Sequence, residues 1–247
     1  MKSLAIIPAR YASTRFPGKP LALIAGRPMI EWVYNQAKMA SFDEVLVATD
    51  DARIFDTVKA FGGEALMTSE DHPNGTSRCR EVVEQKSDFE WIVNVQGDEP
   101  MISKEPLNEI LDRLKSGADI VSLYQPIERD QVASSNHVKV VINQQSHAMY
   151  FSRSIIPFPR NTTIEYSFSK HIGVYGFSRA CFLEVSKIEP TALAQIESLE
   201  QLSWLDHGFS INMIESLGDH RGIDSPEDLE EIQKRIENEL ISLPEWF

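Results

Sequence analysis

Positive charge is scarce in this 247-residue chain: 24 Lys and Arg stand against 37 Asp and Glu, a formal net charge of −13. Such a balance repels polyanions over most of a surface, so wholesale DNA or RNA binding, which needs a basic face, is disfavoured. Cysteine is scarcer still. Cys79 and Cys181 are far apart and show no CxxC or Cys/His spacing, which argues against a zinc site or a disulfide framework and for buried thiols. No apolar run approaches the roughly 18 residues of a membrane helix. The opening MKSLAIIPAR also has too short an apolar stretch for a secretory signal, so a cytoplasmic protein without membrane contact is expected. Internal repeats, low-complexity tracts and obvious linkers are absent as well. A single domain is expected, with 42% hydrophobic residues to fill its core.

One further absence is local. The first acidic residue is Glu31, where an even spread would place about four or five acids in the first thirty positions. That acid-free stretch carries Lys2, Arg10, Arg15, Lys19 and Arg27. Its centre, IIPARYASTRFPGKP, follows an apolar run and mixes cations with loop-forming residues, the composition of a local anion site.

What is present organises itself as short β-rich runs alternating with amphipathic helical segments. LAIIPA precedes PMIEWVYNQAKMA, EVLVATD precedes ARIFDTVKAFGG, EALMT precedes SRCREVVEQ, and WIVNVQ precedes KEPLNEILDRLKSG. This is the pattern of βαβ units and a mostly parallel sheet. After about residue 120 the alternation weakens. HVKVVIN and AMYFSRS then read as a hairpin, HIGVYGFS and SINMIES as strands, and SLEQLSWLDHG as a helix. Ser225-Pro226-Glu227-Asp228 gives the last helix an N-cap, a proline at its first position and an acid three residues on.

In a parallel α/β sheet, ligands gather where strands end and loops leave for the helices. The loop after the first strand offers Ser13, Thr14 and Gly18 for hydrogen bonds and Arg10, Arg15 and Lys19 for charge, a set that suits phosphates. It is not a Walker loop, because Pro20 follows Lys19. A solvated basic loop is the competing reading. NVQGDEP, after the strand WIV, puts Asp98 and Glu99 at a strand end, where an acid pair holds a divalent cation; helix capping competes there. EDHPNGTSR presents Asn74-Gly75-Thr76 before a helix, either to read a base edge or anion or as an ordinary turn. Lys170, His171, Tyr175, Arg153, Glu200, Gln201 and Asp224 are polar candidates in the second half, each of which is more often structural when taken singly, His171 above all as a satisfied core histidine.

Taken together, IPARYASTRFPGKPL, VATDD, MTSEDHPNGT, VNVQGDEPMI, HVKVV, YFSRSIIP, KHIGVYGF, ESLEQL and IDSPEDLE occur in an order that resembles the 3-deoxy-manno-octulosonate cytidylyltransferases, the CMP-Kdo synthetases, from residue 4 to about 235. The resemblance implies an α/β, Rossmann-like nucleotidyltransferase fold with a smaller mixed or antiparallel dimerisation portion, here a hairpin lobe at about 126–174 set into a core of about 1–125 and 175–240. It also implies Mg²⁺-dependent transfer of CMP from CTP to 3-deoxy-D-manno-octulosonate (Kdo), with release of pyrophosphate, for lipopolysaccharide or capsule assembly by a homodimer. By the same resemblance, Arg10, Ser13, Arg15 and Lys19 hold phosphates, and Pro8, Ala9, Asn74, Gly75 and Arg78 surround the cytidine. Asp98 and Asp224 hold Mg²⁺ and, with Lys19 and Arg10, form the catalytic group. Gln96, Arg153, His171, Tyr175, Glu200 and Gln201 line the sugar-acid pocket.

The chain departs from the family pattern at Ser77, at Asn74, at Ser203 and in GDHRGID, where His220 and Arg221 precede Asp224. These changes leave open a related acid such as 8-amino-Kdo. A nucleotide-sugar glycosyltransferase and a non-catalytic nucleotide-binding module are the readings from other classes.

Overall fold

The computed structural model of the protein describes residues 1–13, 15–127, 131–218 and 220–239. Strand β1 (Lys2–Ala9) is followed by a short antiparallel ribbon, β2 (Leu23–Ile24) and β3 (Arg27–Pro28). Next come α1 (Met29–Met39), β4 (Glu44–Thr49), α2 (Ala52–Ala60), β5 (Ala65–Met67), α3 (Gly75–Gln85), β6 (Phe89–Asn94) and α4 (Lys104–Lys115), in the alternation expected from the sequence. The second half contains β7 (Ile120–Ile127), β8 (Lys139–Ile142), β9 (Ala148–Ser152), β10 (Phe168–Ser178), α5 (Arg179–Val185), α6 (Ala192–Glu197), α7 (Gln201–Asp206), β11 (Asn212–Glu215) and α8 (Pro226–Glu237).

The main sheet runs β11-β7-β10-β6-β1-β4-β5, with β8 and β9 attached beside β10. β1 pairs in parallel with β4 and β6, β4 with β5, and β7 with β11. Only β10 reverses direction between β6 and β7, and β8 and β9 continue antiparallel from it. The expected α/β fold with a mostly parallel sheet is therefore what the chain forms. Strand order switches around β1, which places a crevice at its carboxyl end.

Two apolar layers cover this sheet, and β1 shows why. Leu4 and Ile6 enter one layer while Ala5, Ile7 and Ala9 enter the other, because successive side chains of a strand point to opposite faces. A strand buried on both sides reads as a continuous apolar run, the LAII of the sequence. Helices α1, α2 and α4 pack on the second face through Ile30, Val33, Ile54, Val58, Leu107 and Ile110. On the first face, α3, α5 and α7 contribute Cys79, Val82, Phe182 and Trp204. Each of the large buried side chains contributes roughly 1.5–3 kcal/mol. The thiols of Cys79 and Cys181 are free and buried, as their spacing suggested.

The expected helix in SLEQLSWLDHG forms as α7; it starts only at Gln201 because Ser198 adopts a left-handed conformation (φ 53°) that closes the preceding α6, which the sequence reading did not include. Past residue 120 the alternation weakens as expected, with β7, β8, β9 and β10 following one another before α5. The helix-start signal at Ser225 forms the full reciprocal cap with Asp228. Residues 128–130 of the expected lobe and residue 240 of the expected core lie outside the described residues.

Candidate active site

The basic loop leaves the end of β1 and folds back on Tyr11, whose carbonyl accepts hydrogen bonds from the amides of Ser13 (3.0 Å) and Gly18 (2.9 Å). Gly18 has φ +73°, and a Cβ there would come within 3.0 Å of the Tyr11 ring, so only glycine closes the loop without strain. The Arg53 guanidinium lies 3.3 Å from the centroid of that ring. Asp51 grips Arg53 through bonds of 3.0 and 2.6 Å, and this contact holds the Asp51 carboxyl below its ordinary range. The VATDD strand end thus braces the loop.

Across the cleft, Asn74 caps α3 by accepting from the Ser77 amide at 2.8 Å, and Gly75 approaches Pro8 closely. Arg78 is 3% exposed; it donates to Asp50, to the Thr68 hydroxyl and to the Ser69 carbonyl. Removing Asp50 would leave a buried charge unpaired, a costly state. Glu200 reaches the same helix start, accepting from Thr76 Oγ1 at 2.7 Å and from Asn74 Nδ2 at 3.3 Å.

The acids meet at a cation. Lys19 Nζ lies 2.7 Å from Asp98 Oδ2 and 3.4 Å from Asp224 Oδ1, and Arg15 lies 3.1 Å from the same Asp224 oxygen. A backbone bond from the Ile223 amide to the Asp98 carbonyl, 2.9 Å, ties the two acidic segments together. Next to them, burial and then the charge of Asp98 push the Glu99 carboxyl up to about 7. Among the described residues no group of three or more His, Cys, Asp or Glu could hold a metal. Two converging carboxylates fit Mg²⁺, which takes one or two carboxylates together with substrate phosphates, and they do not form an all-protein cage.

All of the expected nucleotide-side residues, with Gln96, Asp98 and Asp224, line one cleft of about 290 Å³. Thr14, offered for its hydroxyl, lies outside the described residues. The expected sugar-side residues are more dispersed. His171 borders a neighbouring cavity of about 370 Å³ that shares Asp224 with the cleft. Its imidazole bonds the Ser122 hydroxyl at 2.9 Å, and burial pulls its pKa down to about 3, so it is neutral at pH 7. Tyr175 and Gln201 are buried. The Tyr175 ring packs on His171 and Trp204, with centroids at 5.3 and 5.0 Å, and its hydroxyl has no hydrogen-bond partner among the described residues. Arg153 turns its guanidinium to the carbonyls of Glu197, Ser135 and Ser198, at 2.8, 3.0 and 3.4 Å.

Sequence reasoning missed Asp50, Asp51, Arg53 and Tyr11 as supports, although two consecutive acids at a strand end were a signal for them. His72 was missed too; it lines the cleft and is held by Glu81 at 2.6 Å.

A family model described as Cytidylyltransferase matches residues 4–213. A 3-deoxy-manno-octulosonate cytidylyltransferase of Fusobacterium nucleatum is 44% identical over 98% of this chain and 100% of its own length. One of Parabacteroides distasonis is 45% identical over 93% and 96%. The solved structure of a CMP:2-keto-3-deoxy-manno-octonic acid synthetase complexed with CTP superposes with a TM-score of 0.91 at 39% identity, covering 97% of this chain and 100% of that one. With near-complete coverage by relatives of one kind, the chain belongs to the 3-deoxy-manno-octulosonate cytidylyltransferase family.

Proposed function

We propose that the protein transfers CMP from CTP to Kdo, releasing pyrophosphate, with Mg²⁺ held by Asp98 and Asp224. The observation that carries this reading is the convergence of Lys19, Asp98 and Asp224 at the mouth of a cleft that also contains Arg10, Arg15 and Ser13. The anomeric hydroxyl at C2 of the sugar acid attacks the α-phosphate, the bond to the β-phosphate oxygen breaks, and pyrophosphate leaves. Arg10, Arg15 and Lys19 neutralise charge on the triphosphate, while the end of β1 and the start of α3 enclose the cytidine between Pro8, Ala9, Asn74, Gly75 and Arg78. Bound Mg²⁺ supplies charge neutralisation and makes a nearby hydroxyl more acidic. Catalysis of this type rests on alignment and electrostatics and needs no covalent chemistry from the protein.

His171, neutral and held by Ser122, and the unpartnered Tyr175 hydroxyl belong to the sugar side of this reading, with Gln96, Arg153, Glu200 and Gln201. No helix among the described residues is long and apolar enough to cross a membrane; a cytoplasmic location is part of the same proposal. The exposed apolar side chains of Met149, Phe158, Ile164 and Tyr166 suit a homodimer contact through the 126–174 lobe.

Incubation with Mg²⁺, each of the four nucleoside triphosphates and a panel of ulosonic acids that includes 8-amino-Kdo tests the proposal. Pyrophosphate release with CTP and Kdo is expected. Release with another acid alone would redirect the sugar assignment, and sugar transfer from a nucleotide-sugar without pyrophosphate release would overturn the reaction class.

A further inference from the structure

We propose that Lys170 is a positioning residue for Asp224, acting through the described residues 216–218 and 220–224 of the segment that carries it. The topology sets the problem. Asp98 follows β6, whereas the segment bearing Asp224 leaves β11 at the edge of the sheet, so it must cross the ends of β7 and β10 to reach Asp98. The structure supports this crossing at three places. It starts with the Ser216 amide donating to the Tyr124 carbonyl at the end of β7, 2.7 Å. At midspan, Lys170 Nζ on β10 donates to the His220 carbonyl at 2.8 Å, and the His220 imidazole is fixed by the Ser216 hydroxyl at 2.6 Å. It finishes with the Ile223 amide on the Asp98 carbonyl at 2.9 Å.

Gly222 fits the crossing for a steric reason. A Cβ there would come within 3.2 Å of Glu99 Oε1, so the backbone at Gly222 lies close over that buried carboxyl. Lys170 thus joins β10 to the segment between its two backbone anchors, through the His220 carbonyl. A charged donor on a carbonyl in a half-buried setting is stronger than a neutral one.

This inference rests on the reading of Asp98 and Asp224 as the metal pair, and the test separates the two. Amide hydrogen exchange of the unliganded protein would be compared for wild type, Lys170→Met and Lys170→Arg, followed by Mn²⁺ titration read by the free-ion electron paramagnetic resonance signal. Lys170→Met is expected to speed exchange across residues 216–224, including the Ile223 amide, about tenfold, and to weaken Mn²⁺ binding by a similar factor. Exchange in α3 and the affinity for CMP should stay unchanged, and Lys170→Arg should recover most of both losses. Should Lys170→Met fail to fold, Lys170→Gln, which is neutral and shorter, carries the same expectations. Unchanged exchange over 216–224, or equal loosening of α3, would overturn the positioning role. Absence of Mn²⁺ binding by the wild type would instead overturn the metal reading and leave the exchange result standing.

Discussion

The two sides of Asp224 are built differently. On the nucleotide side, the cations and polar backbone of the β1 loop and α3 open into a formed cleft, and their supports lie behind them: Asp51 and Arg53 under Tyr11, and Asp50 behind Arg78. On the sugar side, the expected residues are buried or turned to the chain itself. His171 is neutral against Ser122, Tyr175 sits among aromatic rings, and Arg153 serves three carbonyls. The contrast follows from charge. A triphosphate recruits exposed cations that cost little to keep in water, whereas an uncharged polar group in a core is stable only if its few hydrogen bonds are met. Tyr175 does not meet that condition among the described residues, in keeping with the sugar-side role proposed for it.

The largest expected effect separates chemistry from folding. Asp98→Asn should reduce pyrophosphate release by about 10³-fold while leaving the thermal midpoint within a few degrees, since the carboxylate is partly exposed and its partner Lys19 keeps Asp224. Substantial turnover in that variant would remove the metal pair from the mechanism. Next, Lys19→Met should weaken CTP binding by about 10- to 100-fold, on the scale of one cation acting at a half-buried site. Calorimetric titration showing an unchanged dissociation constant would mean that the cleft does not grip phosphate through this residue.

The third prediction concerns pH and the buried side. The folded-state pKa of His171 lies near 3, below its ordinary 6.5, so between these values the unfolded chain binds the proton more readily. Its stabilising contribution is complete above about pH 6.5 and is lost as the pH falls towards 3. From this group alone, stability at pH 5 should be about 2 kcal/mol lower than at pH 8. His171→Gln should flatten that slope in urea denaturation, and an equal slope in both proteins would show that the imidazole is not the titrating group.

The smallest effect is the sharpest for the comparison. Tyr175→Phe removes a hydroxyl that is buried without a partner, so it should stabilise the unliganded protein by about 1 kcal/mol and raise KM for Kdo while leaving KM for CTP unchanged. A destabilised variant with normal sugar kinetics would place Tyr175 in the core only.

Much of this protein was legible beforehand, and the reasons are local. The acid-free start, the loop-forming residues around Gly18, the strand-end acids and the cap at Ser225 each announce themselves within a few positions, because charge, turn geometry and capping act at short range. Helix α6 was not read from the sequence, and neither was its end, since Ser198 carries no glycine-like signal for its left-handed conformation. Nor was the role of Arg53, whose pairing with Asp51 is local but whose stacking on Tyr11 is not.

By itself the sequence determined a mostly parallel α/β sheet, an anion loop at its first strand end and, through its motifs, the family. The tertiary structure alone decided that Lys19 meets Asp98 and Asp224, residues 79 and 205 positions away, and that Lys170 supports the segment reaching between them. Contacts at such separations are set by strand order and crossover, which bring distant segments to one sheet edge and leave no mark in the spacing of residues along the chain.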